Sequence, residues 1–125
     1  MNYQNKNYLV SQSLEIPNID KSWTIFLDRD GVINERIMGH YITKVEDFKF
    51  LTGVIDAIGI FNKLFFKTII ITNQAGVGKR LMSQSDLDDI HDHLQSELKI
   101  NGAFVDKIYA CTDLPSKSTN HRKPN

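Results

Sequence analysis

The stretch Phe26-Leu27-Asp28-Arg29-Asp30-Gly31-Val32-Ile33-Asn34 decides how the rest of the chain is read. Together with Trp23-Thr24-Ile25 before it, a short run of aromatic and β-branched residues, apolar on both faces, leads straight into two carboxylates. Such a run has the pattern of a buried parallel strand. Two acids that close at a strand end repel each other unless a cation joins them. Val32 and Ile33 return the chain to apolar surroundings directly after the tight turn at Gly31. Asp28 and Asp30 are therefore expected to face a crevice between apolar flanks.

Working outward, Val54, Ile55, Ile58, Phe61, Leu64 and Phe65 recur at helical spacing, and Gly59 weakens that helix by roughly 1 kcal/mol relative to Ala. Residues 67–72 read as a second strand, followed by the Gly-rich loop Asn73-Gln74-Ala75-Gly76-Val77-Gly78-Lys79-Arg80. Ser83 and Asp86 have capping-box spacing and open a second helix. Leu87, Ile90, Leu94 and Leu98 line one side of it, and Asn101-Gly102 stops it. Residues 106–112 form a third strand, and the rest is loop. Strand–helix alternation with right-handed crossovers predicts an α/β fold with a parallel sheet. Ligands of such sheets gather at the carboxyl ends of the strands, where Asp28, Thr72 and Thr112 stand. Residues 1–21 are polar and read as a flexible leader, with a short strand at residues 8–10 as the alternative; residues 22–125 form the folded unit.

The 125 residues suit one small domain. Lys plus Arg and Asp plus Glu both number 15, so no bulk charge points to nucleic acid or a membrane surface. No apolar run reaches membrane-spanning length. The N-terminus lacks the basic-then-apolar plan of a signal peptide. Cys111, the single cysteine, excludes an internal disulfide and fits a reducing compartment. The expected location is the cytoplasm.

Three stretches, FLDRDGVIN at 26–34, ITNQAGVGKR at 71–80 and HRKP at 121–124, resemble in order the motifs of the haloacid dehalogenase superfamily. The form is similar to the branch of heptose-bisphosphate and histidinol-phosphate phosphatases. The resemblance covers about residues 23–125. It implies a three-layer α/β/α Rossmann-like fold, incomplete on its C-terminal side, because the family continues past Arg-Lys-Pro with a helix and two strands. The last magnesium-binding acids of the family lie in that continuation, and the strand carrying Asp28 is expected to become a sheet edge. Self-association through that edge is one consequence.

The same resemblance implies catalytic roles for Asp28 as nucleophile, Asp30 as general acid and base, Thr72 as a phosphoryl hydrogen-bond partner and Lys123 as the compensating charge. It makes Asn73, Gln74, Arg122, Arg36 and Tyr41 substrate-binding candidates. Magnesium is the expected cofactor, held by the Asp28 carboxylate and the Asp30 carbonyl. A zinc loop of the branch is degenerate here: Cys111 and His121 remain as candidate ligands with Asp113, but Thr119 is a poor fourth, and zinc is not expected. The implied function is magnesium-dependent hydrolysis of a small sugar phosphate, such as a heptose 1,7-bisphosphate, or of histidinol phosphate, through an aspartyl phosphate. The competing reading is a non-catalytic module that keeps phosphate affinity.

Two tempting motifs fail. The Gly-rich loop has Asn73 and Arg80 where a P-loop needs Gly and Ser or Thr; its glycines are expected to allow close backbone approach to an anion. His91 and His93 stand two apart on a helix and point to different faces, so they are expected to be ordinary surface histidines.

Overall fold

The computed structural model describes residues 18–117 and 120–124. The segment 1–17, including the alternative strand at 8–10, and Thr119 of the degenerate zinc loop lie outside the described residues.

The element order is β1 (Thr24–Leu27), α1 (Val54–Leu64), β2 (Lys67–Asn73), the one-turn helix α2 (Ala75–Gly78), α3 (Gln84–Ile100) and β3 (Lys107–Cys111). Short 3-10 turns at Val45–Asp47 and Pro115–Lys117 punctuate the loops. The strands lie in the order β1-β2-β3, all parallel, with Leu27 beside Ile70 and Asn73 beside Cys111. Their carboxyl ends therefore share one rim, as the strand–helix alternation requires.

The helices begin and end where local chemistry says they should. The Ser83 hydroxyl accepts from the Asp86 amide at 3.0 Å, and the Asp86 carboxylate accepts from the Ser83 amide at 2.8 Å, completing the capping box. Gly53 enters α1 with φ 84°, a left-handed conformation that glycine adopts without a Cβ penalty. One core joins Ile58 of α1, Ile70 of β2 and Leu87, Ile90, Leu94 and Leu98 of α3 to Ile33, Ile42 and Phe48 of the loop after β1. Both long helices thus cover the same face of the sheet, as consecutive right-handed crossovers dictate. The described residues supply two of the three expected layers. On the uncovered side Phe26 is 59% exposed and Tyr109 50% exposed, and β1 is an edge strand, as the resemblance implied.

Irregular backbone is fastened by side-chain amides. Asn62 bonds both the amide and the carbonyl of Phe104, and Gln95 does the same to Val105. Both hold the connection into β3. Asp106 accepts from the Thr68 amide at 2.8 Å and thereby extends the ladder one step before β3 begins.

The Gly-rich segment, expected to allow close backbone approach to an anion, folds into the one-turn helix α2. Its glycines serve packing: a Cβ on Gly78 would collide with the Thr112 carbonyl oxygen, and one on Gly76 would press on Tyr41 and Met82. Among the described residues, no helix is long and apolar enough to cross a membrane. Gly78→Ala should cost about 1–3 kcal/mol in urea unfolding, because the α2 turn must move away from β3; an unchanged midpoint would show that Gly78 is not pinned there.

Candidate active site

At the rim, the turn after β1 folds back on itself. The Arg29 carbonyl accepts from the Val32, Ile33 and Asn34 amides at 3.1, 2.7 and 3.2 Å, and Gly31 at φ 82° makes the reversal. This leaves Asp28 half-exposed at the mouth of a cavity of about 220 Å³. Asp28, Asp30, Arg36, Ile37, His40, Tyr41, Ile42 and Asn73 line that cavity. Four expected site residues from the first turn and its following loop, namely Asp28, Asp30, Arg36 and Tyr41, thus share one space with Asn73 from β2.

Lys123 arrives from 50 residues further along the chain than Asn73 and is fastened by it. Asn73 donates from Nδ2 to the Lys123 carbonyl at 3.1 Å and accepts the Lys123 amide on Oδ1 at 3.1 Å. The ammonium group then donates to the Ile71 carbonyl at 2.8 Å and lies 3.1 Å from Asp28 Oδ1. A single Asn side chain therefore sets the placement of the cation beside the carboxylate. Arg122 turns its guanidinium to the Asp113 carbonyl at 3.4 Å and is not among the residues lining the cavity.

Asp30 is differently placed from Asp28. Its Oδ1 accepts from Arg29 Nε and Nη2 at 3.1 and 2.8 Å and from Asn34 Nδ2 at 3.0 Å; its Oδ2 accepts from Gln74 Nε2 at 2.9 Å. Burial alone pushes this carboxyl up, but the Arg29 charge and the hydrogen bonds from Asn34, Arg29 and Gln74 together hold it below its ordinary value. Asp30 is an ionised acceptor here. Gln74 is buried, and its amide also donates to Thr72 Oγ at 2.8 Å. Thr72, buried too, reaches the acids through Gln74 rather than directly. Gln74 and Thr72 brace the turn from beneath, and neither lines the cavity.

Two residues that sequence reasoning passed over belong to this arrangement. Arg29, given no role by the sequence reading, is fully buried. His91 is no surface histidine: its Nε2 lies 3.1 Å from Arg29 Nη1, and burial, with the Arg29 charge second, pushes its pKa down to about 4. His93 packs edge-on against Phe48, at 6.1 Å between ring centres. The signal for His91 was present: it stands four residues after Leu87 and three before Leu94, on the flank of the buried stripe.

The contacts of Asp28 to the Arg29 amide and to Lys123 both fall on Oδ1, and Asp28 itself lines the cavity. The Asp28 carboxylate and the Asp30 carbonyl suit magnesium, which keeps several waters and shares phosphate oxygens. Among the described residues no group of three or more His, Cys, Asp or Glu side chains gathers around a metal position. Cys111 is buried at the end of β3, where its carbonyl accepts the Gln74 amide at 2.7 Å.

No family model matches the chain. It is similar to the D-glycero-alpha-D-manno-heptose-1,7-bisphosphate 7-phosphatase of Mycobacterium tuberculosis, 38% identical over 102 residues, covering 82% of this chain and 54% of that protein. It is 34% identical over 101 residues to a probable D-glycero-D-manno-heptose-1,7-bisphosphate 7-phosphatase of Thermoplasma volcanium, covering 81% of this chain and 68% of that one. Among solved structures, the D,D-heptose 1,7-bisphosphate phosphatase of B. bronchiseptica, complexed with magnesium and phosphate, superposes with a TM-score of 0.76 at 30% identity, over 81% of this chain and 56% of that chain. The chain thus spans about half the length of several of the relatives it matches.

His91 gives the site a pH signature. Its folded pKa of about 4 lies below its ordinary 6.5, so the unfolded chain binds the extra proton first and stability falls as pH drops through that window. Asp30, depressed below its ordinary 3.8, loses its own contribution only at lower pH still. Urea unfolding from pH 7 to 4.5 should therefore weaken the wild type more steeply than His91→Gln, which has no proton to gain; equal slopes would contradict the burial of a neutral imidazole.

Proposed function

We propose a function from one premise: the chain belongs to the heptose-bisphosphate phosphatase branch of the haloacid dehalogenase superfamily. The function is hydrolysis of a sugar phosphomonoester, of the heptose 1,7-bisphosphate kind, by attack of Asp28 on phosphorus. The observation that carries it is the pairing of a half-exposed Asp28 with Lys123 at 3.1 Å, at the mouth of a cavity edged by Arg36, Tyr41 and Asn73.

In this reading Asp28 Oδ2 approaches the phosphoryl group while Oδ1 is held by the Arg29 amide and by Lys123. A carboxylate nucleophile divides a difficult hydrolysis into formation and breakdown of an aspartyl phosphate. Lys123 compensates charge on the transferring oxygens, and Asn73 keeps it in place. Asp30 starts ionised. To protonate a leaving oxygen it must first take up a proton, which a neighbouring dianionic phosphoryl group would favour by raising its pKa. It then serves as base for water, a role its resting state already suits. Bound at Asp28 and the Asp30 carbonyl, magnesium would neutralise charge and hold the phosphoryl group in line. Arg36, with its fork of donors on the cavity wall, suits the second anionic group of a bisphosphate.

The test is release of phosphate by this chain with magnesium from p-nitrophenyl phosphate, a heptose 1,7-bisphosphate and histidinol phosphate. Magnesium-dependent turnover should fall by about 10⁴-fold or more in Asp28→Asn. Preference for the bisphosphate supports the sugar-phosphate reading, and preference for histidinol phosphate replaces it. Phosphate binding without turnover in the wild type would favour the non-catalytic module. A second outcome isolates the clamp: Asn73→Ala should lower turnover nearly as far as Lys123→Ala, whereas a small effect would mean Lys123 finds its place unaided.

A further inference from the structure

The Arg29 guanidinium carries a charge into a place with no water, and its surroundings account for it almost completely. Nε and Nη2 go to Asp30 Oδ1, and Nη1 goes to His91 Nε2 at 3.1 Å. The flat face lies over the Phe48 ring, 5.8 Å from its centre. Arginine has donors only. The atom facing Nη1 must therefore offer a lone pair, which fixes the imidazole as neutral with its proton on Nδ1. Any other form of His91 would set a donor against a donor inside the fold. The charged groups around the imidazole are Arg29, Asp88, Asp30 and Asp92. Asp88 and Asp92 come from α3 itself; Arg29 and Asp30 come from the turn.

From this juxtaposition we infer that His91 is a positioning residue: as a neutral acceptor on α3 it holds the Arg29 guanidinium, and Arg29 in turn fixes the Asp30 carboxylate at the cavity. The inference rests on the phosphatase reading only for what Asp30 does; the hydrogen-bond relay stands on geometry alone. Without His91, Nη1 keeps a buried unpaired donor. The guanidinium then swings toward whatever acceptor it can reach and takes Asp30 Oδ1 with it. The helix α3, which never reaches the cavity, thereby governs the geometry of the acid that does.

The experiment uses the full chain labelled with nitrogen-15 and carbon-13. In the wild type at pH 7, His91 should show a bare Nε2 and a protonated Nδ1, and the Arg29 Nε–H should give a resolved, slowly exchanging signal. His91→Leu should erase that Arg29 signal, and His91→Gln, whose side-chain oxygen can accept, should restore it. In turnover, His91→Leu should lower kcat by about 10-fold or more with little change in KM, and His91→Gln should recover most of the loss. A protonated Nε2 in the wild type overturns the inference, as does an unchanged Arg29 signal in His91→Leu or equal kcat losses in the two variants. If the wild type turns nothing over, the phosphatase reading fails while the spectra still decide the relay. Should His91→Leu not fold, the wild-type tautomer and the Arg29 signal of His91→Gln decide it.

Discussion

A guanidinium withdrawn from water needs acceptors on all sides, and the rim of this sheet is arranged to supply them. Arg29 takes a carboxylate from its own turn, an imidazole from α3 and an aromatic face from the loop after β1. Isolated, a buried charge of this kind costs several kcal/mol; paired, it locks three separate segments to one another. The turn cannot relax without exposing Arg29 to a poor environment, so Asp28 and Asp30 inherit a fixed geometry. The net stability of the pair is small or even unfavourable. Its value is specification of where two carboxylates point.

The same logic separates the two acids. They stand two residues apart, yet one is saturated with donors and the other is open. Asp30 receives hydrogen bonds from Arg29, Asn34 and Gln74, whereas Asp28 touches Arg29 through the backbone and Lys123 through an exposed ion pair. An exposed pair contributes at most about 1 kcal/mol to stability. Lys123 therefore does little for the fold, and the elaborate fastening of its backbone by Asn73 is better understood as placement of a charge. That fastening repeats the amide clamps of Asn62 on Phe104 and Gln95 on Val105. In each case one side-chain amide satisfies both backbone groups of a single residue outside regular structure, where no ladder could do so.

Much of this was legible in the chain itself. Periodicity placed α1 and α3, the capping box fixed where α3 starts, and the β-branched runs located all three strands to within a residue. Asp28, Asp30, Arg36, Tyr41 and Asn73 were named from motif and loop and do meet at one cavity. Where the other expected residues sit has physical causes. The resemblance gives Thr72 and Gln74 a place against the ligand; alternation in β2 turns Thr72 inward beside Ile70, and Gln74 bonds Asp30 and Thr72 beneath the turn. Arg122, named with Lys123 from the Arg-Lys-Pro stretch, turns to the Asp113 carbonyl, whereas Lys123 is held by Asn73. The close approach of Gly78 to Thr112 and of Gly76 to Tyr41 is a tertiary fact that no local pattern encodes.

His91 marks the boundary between these two kinds of information most clearly. Measured against His93, its position says only that the two diverge. Measured against Leu87 and Leu94, it flanks the buried side, and an imidazole partly withdrawn from water needs a partner. What the sequence cannot say is which partner. Arg29 lies 62 residues away, and the contact exists only because the turn after β1 and α3 pack onto one shared core. Local chemistry thus decides that both groups need a companion, and topology decides that they become each other's.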